Sequence, residues 1–385
     1  MKRKKALEKF DTSLELKGVD LLITSTERML ARLDDGDYPS QALFRNSLNR
    51  TGCEREKGVY SHPQPAWKYH QLINVDASPI IHQNLIIAGS DTRSLYALDA
   101  QRGELLWEFK TGGRIRSTVA ISGNVLYVGS FDKKLYALNV HKGSEKWHFE
   151  TGDWIFSSPL VHKQRVYFGS MDHHLYCLDA INGKLRWKYA TDGWVISSPA
   201  LFDDHLVFGS RDHCLYALNA LNGSLIWKYQ AQSGLHASPA IYRGRVYIAS
   251  LDGRMHCVDM KSGEAIWRSE PGPAVFSSAA VSGQGVYFGN KGGVMMALHP
   301  EEGRFLWSFE AGGSIHSSPL ASANALFFGA DDTYLYCLNR SDGALKWKYK
   351  TEDRIRSSPS ISGNRLYCGG YYIYAFDLVT ADEQA

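Results

Sequence analysis

The chain has 385 residues, of which 44% are hydrophobic and 22% are charged, and its formal net charge is +3 at pH 7. This mild charge argues against nucleic acid as a partner, and lysine and arginine form no run after the first five residues. No apolar segment approaches the length of a membrane-spanning helix, so we expect a large globular protein without a membrane span.

Residues 1–58 are predicted to form an N-terminal extension. Apolar positions at helical spacing lie on one face of a segment that Gly36 and Pro39 end: Val19, Leu22, Ile23, Thr26, Leu30 and Leu33. This amphipathic helix either packs on the domain that follows or docks a partner. Met1–Lys5 is basic, but no apolar segment follows it, and none of the six cysteines forms a Cys-x-x-Cys pair. We therefore expect a cytoplasmic protein.

A single unit repeats through the rest of the chain. Eight tryptophans each stand forty residues after the last: Trp67, Trp107, Trp147, Trp187, Trp227, Trp267, Trp307 and Trp347. Neither a helix nor a strand has such a period, and forty residues is about the size of a four-stranded propeller blade. Each tryptophan is expected to bury its ring against the next blade.

The third copy shows how one unit is built. Four short apolar segments bounded by turn residues are predicted as its strands, from innermost to outermost: Ser157–Val161, Val166–Ser170, Leu175–Asp179 and Leu185–Tyr189. An Asp/Asn-x-x-x-Gly turn recurs between the third and fourth strands, where glycine suits a left-handed residue. The paired serines of the first strand are small because the blades converge at the axis.

The two ends of the repeat complete each other. Trp67 has no three strands before it, and the last copy, Ser357 to Asp377, has no tryptophan after it. If the N-terminal strand pairs with the last three strands, the two fragments form an eighth blade and leave no open edge. We therefore predict an all-β fold, an eight-bladed β-propeller of four-stranded antiparallel blades over residues 59–379, with a short N-terminal helical extension and a tail at 380–385.

The repeat resembles a known family. The unit Ser-Ser-Pro, Leu-Val-Phe-Gly-Ser and Asp-x-x-Leu-Tyr-Ala-Leu-Asn-Ala-x-x-Gly-x-x-x-Trp, from Ser197 to Trp227, closely resembles the pyrroloquinoline-quinone-like propeller repeat. Quinoprotein dehydrogenases share this repeat with non-catalytic propellers such as the outer-membrane assembly-factor lipoprotein. Leu43–Gly52 is similar to a Phe-Arg-x-x-x-x-Arg-Thr-Gly segment that often precedes such rings. The resemblance covers about Leu43 to Leu378 and implies a fold, because the matching residues build blades.

The enzymes of that family have features that this chain lacks. They bind the quinone beside calcium, typically under a disulfide between adjacent cysteines, and their repeats are separated by long insertions. Here no two cysteines are adjacent, and the repeat spacing is uniform. The chain is therefore closest in style to the non-catalytic members, and we expect no cofactor.

Two positions of each repeat vary most, and they lie two residues apart before the innermost strand. The earlier position holds, in blade order, Asn74, Arg114, Trp154, Trp194, Gly234, Ala274, Ser314 and Arg354. The later position holds Asp76, Arg116, Phe156, Ile196, His236, Phe276, His316 and Arg356. Strand alternation places both positions on one side, so we expect them to surround the mouth of the central channel.

A cationic cluster is expected beside an aromatic wall at this mouth. Asp76 is flanked by the arginines of adjacent blades, Arg114, Arg116, Arg354 and Arg356, and the next blades bring Trp154, Phe156 and Trp194. Arginine binds carboxylate or phosphate and stacks on rings, so this arrangement suits an anionic ligand with a flat or apolar part. Alternatively, the arginines and Asp76 neutralise one another and the tryptophans cover the funnel.

Histidines at the mouth and beside the turns have two interpretations. His236 and His316 lie two blades apart and could act in acid–base chemistry, or they could be structural. Asp132, Asp172 and Asp212 begin turns that contain lysine or histidine, which is mainly turn chemistry, and we expect no metal site. His256 occupies a tyrosine position and is interpreted as a core residue.

We predict a non-catalytic binding or scaffold propeller that recognises a peptide, a protein or a small anionic ligand at the channel mouth. The alternative is an enzyme of unknown reaction that uses Asp76, His236, His316 and the arginines of the same mouth. A broad open surface would favour the scaffold, and a buried convergent set of residues would favour the enzyme.

Overall fold

A computed structural model of the protein describes residues 41–42, 47, 50–53, 62–71 and 73–378. The predicted amphipathic helix, most of the lead-in segment and the C-terminal tail lie outside the described residues. The repeat forms eight four-stranded antiparallel blades around a central channel, which confirms the predicted propeller, and the short strand Gln41–Ala42 adds a fifth strand to the sheet of blade 2. Within these ranges, no helix has the length and apolar character needed to cross a membrane.

Each of the first four blades is a meander in which consecutive strands pair. Blade 1 is Ile80–His82, Leu85–Gly89, Ser94–Asp99 and Leu105–Lys110; blade 2 is Ala120–Ser122, Val125–Gly129, Lys134–Asn139 and Glu145–Glu150; blade 3 is Leu160–His162, Arg165–Gly169, His174–Asp179 and Leu185–Ala190; blade 4 is Ala200–Phe202, His205–Gly209, Cys214–Asn219 and Leu225–Gln230. The innermost strand comes first in each blade.

The remaining blades follow the same order except at the closure. Blade 5 is Ala240–Tyr242, Arg245–Ala249, Met255–Asp259 and Ala265–Arg268; blade 6 is Ala280–Ser282, Gly285–Gly289, Val294–Leu298 and Phe305–Glu310; blade 7 is Leu320–Ala321, Ala325–Gly329, Tyr334–Asn339 and Leu345–Lys350; blade 8 is Ser360–Ser362, Arg365–Gly369, Ile373–Asp377 and, from the N-terminal side, Gln64–Tyr69. Trp67 pairs with Ala375 in this last sheet, so strands from both ends of the repeat close the ring.

The innermost strands are shorter than predicted. Regular pairing in blade 3 begins at Leu160, after the Ser-Ser-Pro segment that was expected to start the strand. Pro159 has no N–H to donate, and the N–H of Ser158 is donated to the hydroxyl of Ser198 in the next blade, at 2.9 Å. The serine pair therefore joins neighbouring blades and does not extend one sheet.

The repeated tryptophans contact the next blade, as the sequence predicts. Trp107 of blade 1 donates from Nε1 to the carbonyl of Val140 in blade 2, at 3.0 Å. Its ring covers Gly143, the glycine of the Asx turn, whose φ is +64°. A Cβ at Gly143 would lie 2.5 Å from the ring of Trp107. Glycine at this turn is therefore required both by the backbone conformation and by the approach of the tryptophan.

Candidate ligand-binding site at the channel mouth

A closed ring of hydrogen bonds surrounds the channel. The second serine or threonine of each pair donates its backbone N–H to the hydroxyl of the equivalent residue in the next blade, over 2.9 to 3.1 Å. The eight members are Ser78, Thr118, Ser158, Ser198, Ser238, Ser278, Ser318 and Ser358. The ring joins Ser358 of blade 8 to Ser78 of blade 1, so it has no break.

A cavity of about 320 Å³ lies above this ring, and we call it the cup. Its base is the hydroxyl ring. Its wall is formed by the eight residues that stand two positions earlier in each repeat: Asp76, Arg116, Phe156, Ile196, His236, Phe276, His316 and Arg356. The later of the two variable positions therefore lines the channel mouth in every blade.

Two arginines of the wall are each held by an aspartate from the preceding blade. Arg116 donates from Nε and Nη2 to the two carboxylate oxygens of Asp91, at 2.9 and 2.7 Å. Arg356 binds Asp331 in the same way, at 2.8 and 2.9 Å. Such two-pronged bonds fix the guanidinium plane and use two of its five N–H groups. Asp91 and Asp331 were not among the predicted residues.

Asp76 stands between these arginines in the ring, because blade 1 adjoins blades 8 and 2. Its Oδ2 lies 3.4 Å from Nη2 of Arg116, and its side chain is 16% exposed. Burial raises the pKa of Asp76, although Arg116 opposes the effect. Burial acts to raise the pKa of Asp331 as well, but the hydrogen bonds and the charge of Arg356 outweigh this effect, so the pKa of Asp331 is lowered. Asp76 is therefore the less well compensated of these two carboxylates.

The opposite side of the cup is aromatic. The ring of His236 meets the rings of Phe156 and Phe276 edge-on, with centroids 5.6 and 5.0 Å apart. Phe276 also contacts His316, at 5.4 Å. Phe131 extends the wall because its centroid lies 5.9 Å from that of Phe156. The cup therefore has a charged side and an aromatic side.

Both histidines of the wall favour the neutral form. Burial lowers the pKa of His236 to about 4, and Arg211 adds to the effect. Burial and the charge of Arg356 also lower the pKa of His316, whose Nε2 lies 3.7 Å from Asp331. At neutral pH, His236 therefore contributes an uncharged ring to the aromatic side.

The earlier variable position lies outside the lining of the cup. The Arg114 side chain is 56% exposed, and Trp154 and Trp194 are 45% and 43% exposed. Arg354 occupies the same position in blade 8 and is absent from the lining. The segments before the innermost strands are not regular strand, so the alternation that placed both positions at the mouth does not apply. These four residues form the rim, where Trp154 stacks on Phe131 at 4.8 Å.

A third variable position, two residues after the end of the second strand, was missed by sequence reasoning. It holds Asp91, Phe131, Met171, Arg211, Leu251, Lys291, Asp331 and Tyr371. In seven of the eight blades its N–H donates to the carbonyl of the earlier variable position, as Asp91 does to Asn74 at 2.9 Å, which brings its side chain to the mouth. The signal was present in the sequence, because this position varies as widely as the other two.

Two short stretches before the first blade, residues 41–42 and 50–53, contact the inner strands of the blades. The strand Gln41–Ala42 pairs with the innermost strand of blade 2. The carbonyls of Thr51 and Gly52 accept the N–H groups of Val281 in blade 6 and Ala321 in blade 7, at 2.8 and 3.0 Å. These contacts place Thr51 and Gly52 inside the ring of blades.

Arg50 crosses beneath the cup. Its side chain is fully buried and donates from Nε to the carbonyl of Pro199 and from Nη2 to the carbonyls of Ser158 and Pro159. Its backbone neighbour Thr51 is bonded to blade 6, so the side chain spans the channel to blades 3 and 4. The Arg50 side chain therefore obstructs the channel below the hydroxyl ring.

The aspartates of the second-to-third strand turns have structural partners, as expected. Asp132 accepts the N–H of Gly112 at 2.7 Å and the hydroxyl of Tyr136 at 2.8 Å. In blade 5, His256 replaces this tyrosine; it is fully buried and hydrogen-bonds to Ser250 and Tyr229. His256 is therefore a core residue.

The metal-ligating side chains at the mouth differ from those of a site that binds pyrroloquinoline quinone beside calcium. Calcium takes six to eight oxygen ligands, to which several carboxylates usually contribute. Among the described residues, no three histidine, cysteine, aspartate or glutamate side chains are grouped so that they could hold a metal. All six cysteines are free thiols. The residues at the mouth therefore do not fit that cofactor with its metal.

The fold and the repeats define the class of protein as a pyrroloquinoline-quinone-like β-propeller. A family model described as the β-propeller of the beta-alanine-activating enzyme matches residues 163–375, more than half of the chain. The chain therefore belongs to this family. A model described as the outer membrane protein assembly factor BamB matches residues 61–191. No curated protein sequence matches the chain.

Solved structures share the fold at low sequence identity. BamB from Moraxella catarrhalis is 18% identical with a TM-score of 0.73, over 82% of this chain and 100% of that one. A europium-containing methanol dehydrogenase is 13% identical with a TM-score of 0.77, over 91% and 100%. The quinohemoprotein alcohol dehydrogenase of Comamonas testosteroni is 15% identical with a TM-score of 0.77, over 91% and 84%. Since BamB and dehydrogenases share this fold, the function of this chain has to be argued from its site.

Proposed function

We propose that the chain is a non-catalytic binding module whose cup takes a small ligand with a carboxylate and a flat or apolar part. One observation carries the proposal: two arginines with fixed guanidinium planes and an aromatic wall face the same cavity. The carboxylate of the ligand would bind the arginines, and its flat or apolar part would bind the aromatic wall.

The arginines are prepared for a carboxylate. Asp91 and Asp331 hold Arg116 and Arg356 in one orientation, so little side-chain entropy is lost when a ligand binds. Each guanidinium keeps N–H groups beyond the two that it gives to its aspartate. A carboxylate in the cup can accept bonds from them, which are stronger than bonds between neutral groups.

The aromatic side is suited to a ring or a branched aliphatic group. His236 contacts Phe156 and Phe276 edge-on, so the three rings form a continuous surface. Because His236 has a pKa of about 4, it carries no charge at neutral pH that would have to be desolvated.

The size of the cup sets the scale of the ligand. Its volume of about 320 Å³ is at the lower end of the range for small-molecule sites. The Arg50 side chain lies beneath the hydroxyl ring, so a ligand enters from the mouth. A peptide or protein partner could place one terminal residue in the cup but could not pass through it.

The placement of the acid–base candidates supports binding over catalysis. Asp76 lies on blade 1 beside Arg116, whereas His236 lies on blade 5, on the opposite side of the ring. Phe276 separates His236 from His316 along the wall. A general acid and a general base would have to reach one reacting group, and Asp76 and His236 lie in different sectors.

The proposal is tested by calorimetric titration with 3-phenylpropionate, which combines a carboxylate with a ring. We expect saturable binding that weakens by at least about 10- to 150-fold in Arg116→Gln/Arg356→Gln, since losing even one charged hydrogen bond costs roughly 1.5–3 kcal/mol. Arg365→Gln is the matched control, because Arg365 also pairs with an aspartate, Asp377, but is absent from the cup lining. Absence of saturable binding, or equal binding by the double variant and the wild type, would refute the proposal.

A further inference from the structure

The charged side of the cup contains one carboxylate more than its paired arginines require. Arg116 is matched by Asp91 and Arg356 by Asp331, each through two short hydrogen bonds. Asp76 is the additional carboxylate. Within the described part of the chain, its one ion pair is with Nη2 of Arg116 at 3.4 Å, and that atom is 2.7 Å from Asp91.

Asp76 therefore favours a further cation. A buried carboxylate is stabilised by an opposite charge of its own. Arg116 is shared with Asp91, and Arg356 and Arg354 act on Asp76 without forming an ion pair with it. The rise in the pKa of Asp76 that burial causes agrees with this incomplete compensation. A ligand that supplied only a carboxylate would add a second negative charge beside Asp76.

We propose that the cup binds a free α-amino acid with an aromatic or large aliphatic side chain. Its ammonium group would bind Asp76, its carboxylate would bind Arg116 and Arg356, and its side chain would bind the wall around Phe156 and Phe276. The inference rests on the proposed function and names the ligand class of the same cup.

The spacing of the charges in the cup matches this ligand. In an α-amino acid, three bonds separate the ammonium nitrogen from a carboxylate oxygen. The carboxylate of Asp76 and the guanidinium of Arg116 are likewise adjacent, 3.4 Å apart, so both can be reached from one position. Each charge of the ligand then meets its opposite, and the ligand adds no net charge to the cup.

The aromatic wall lies on the other side of the channel from Asp76. His236 and Phe276 belong to blades 5 and 6, and Asp76 belongs to blade 1. A side chain attached to the carbon between the two charged groups extends away from Asp76 and towards these rings. Glycine has the same charges but cannot make this contact.

The first test is a calorimetric titration of the full chain with four probes. L-phenylalanine has both charges and the ring. N-acetyl-L-phenylalanine lacks the ammonium charge, L-phenylalanine amide lacks the carboxylate, and glycine lacks the ring. We expect L-phenylalanine to bind at least tenfold more tightly than each of the other three.

The second test is Asp76→Asn, which keeps the shape of the side chain and removes its charge. We expect L-phenylalanine to bind at least tenfold more weakly to this variant, while 3-phenylpropionate binds as well as to the wild type or better. Binding of 3-phenylpropionate also shows that the variant is folded. Arg116 remains held by Asp91, so the carboxylate site is preserved.

The outcomes separate this inference from the function on which it rests. If N-acetyl-L-phenylalanine binds as tightly as L-phenylalanine, the amino-acid inference is wrong and the carboxylate site stands, with the end of a peptide as an alternative ligand. If L-phenylalanine amide binds as tightly, the cup is a cation site and the inference is also wrong. If neither 3-phenylpropionate nor L-phenylalanine binds in a way that depends on Arg116 and Arg356, both proposals are wrong.

Discussion

Two glycines of blade 2 allow the tryptophan contact between blades to be measured by itself. Gly143 and Gly123 both have a left-handed backbone, with φ of +64° and +57°. A Cβ added at Gly143 would lie 2.5 Å from the ring of Trp107, whereas one added at Gly123 would meet nothing within 4 Å. The two alanine variants therefore share a backbone penalty, and only Gly143→Ala displaces the tryptophan.

The expected magnitudes follow from these two contributions. A left-handed alanine costs about 1–2 kcal/mol, which is the whole effect expected for Gly123→Ala. Gly143→Ala adds overpacking against Trp107, about 1–3 kcal/mol, and weakens the bond from the indole to the carbonyl of Val140. We therefore expect Gly143→Ala to lower the free energy of unfolding by about 2–5 kcal/mol.

Urea unfolding followed by tryptophan fluorescence measures both variants, and a shared slope m shows that they unfold in the same way as the wild type. Equal losses of stability in Gly143→Ala and Gly123→Ala would show that the approach of Trp107 does not limit this turn. The role of the repeated tryptophan in joining the blades would then have to be abandoned.

Two further predictions concern buried polar groups. Arg50→Met should lower the free energy of unfolding by about 2–4 kcal/mol, because the carbonyls of Ser158, Pro159 and Pro199 lose a charged donor. The control is Arg186→Met, at an exposed pair with Asp179, which should lower it by less than about 1 kcal/mol in the same urea assay. Burial lowers the pKa of His256 to about 4, below its ordinary 6.5, so its stabilising contribution is present above pH 6.5 and is lost as the pH falls towards 4, by up to about 3 kcal/mol. His256→Tyr, which introduces the residue found in other blades, should reduce this loss between pH 7 and 4.5, and an unchanged loss would contradict the assignment to His256.

The fold could be predicted because its determinants repeat. Trp107 and Gly143 belong to a contact that recurs in successive blades, so the spacing of such residues reports the size of the unit directly. The start of the innermost strand could not be predicted in this way. Ser158 precedes a proline and donates its N–H to Ser198 of the next blade, and this bond depends on how the blades are arranged.

Half of the predicted mouth residues line the cup, and the reason lies in the local backbone. Asp76, Arg116 and Arg356 lie in irregular segments, where the alternation of side chains along a strand does not predict which way a side chain points. Asp91 and Asp331 could not be linked to the arginines from sequence, because each pair is 25 residues apart and joins neighbouring blades. Variation among the copies at the third position was the signal that could have identified them.

The repeat explains how a mouth with two chemically different sides can form in a symmetric ring. The blades are joined by bonds such as that from Ser78 to Thr118, which involve the backbone and a hydroxyl two positions after the wall residue. The wall residue itself takes no part in this bond, so Asp76, Phe156 and His236 can occupy equivalent positions without altering the joints between blades. Stability is therefore provided by positions that repeat, and the proposed ligand preference by positions that differ, so substitutions such as Asp76→Asn can test binding without a change of fold.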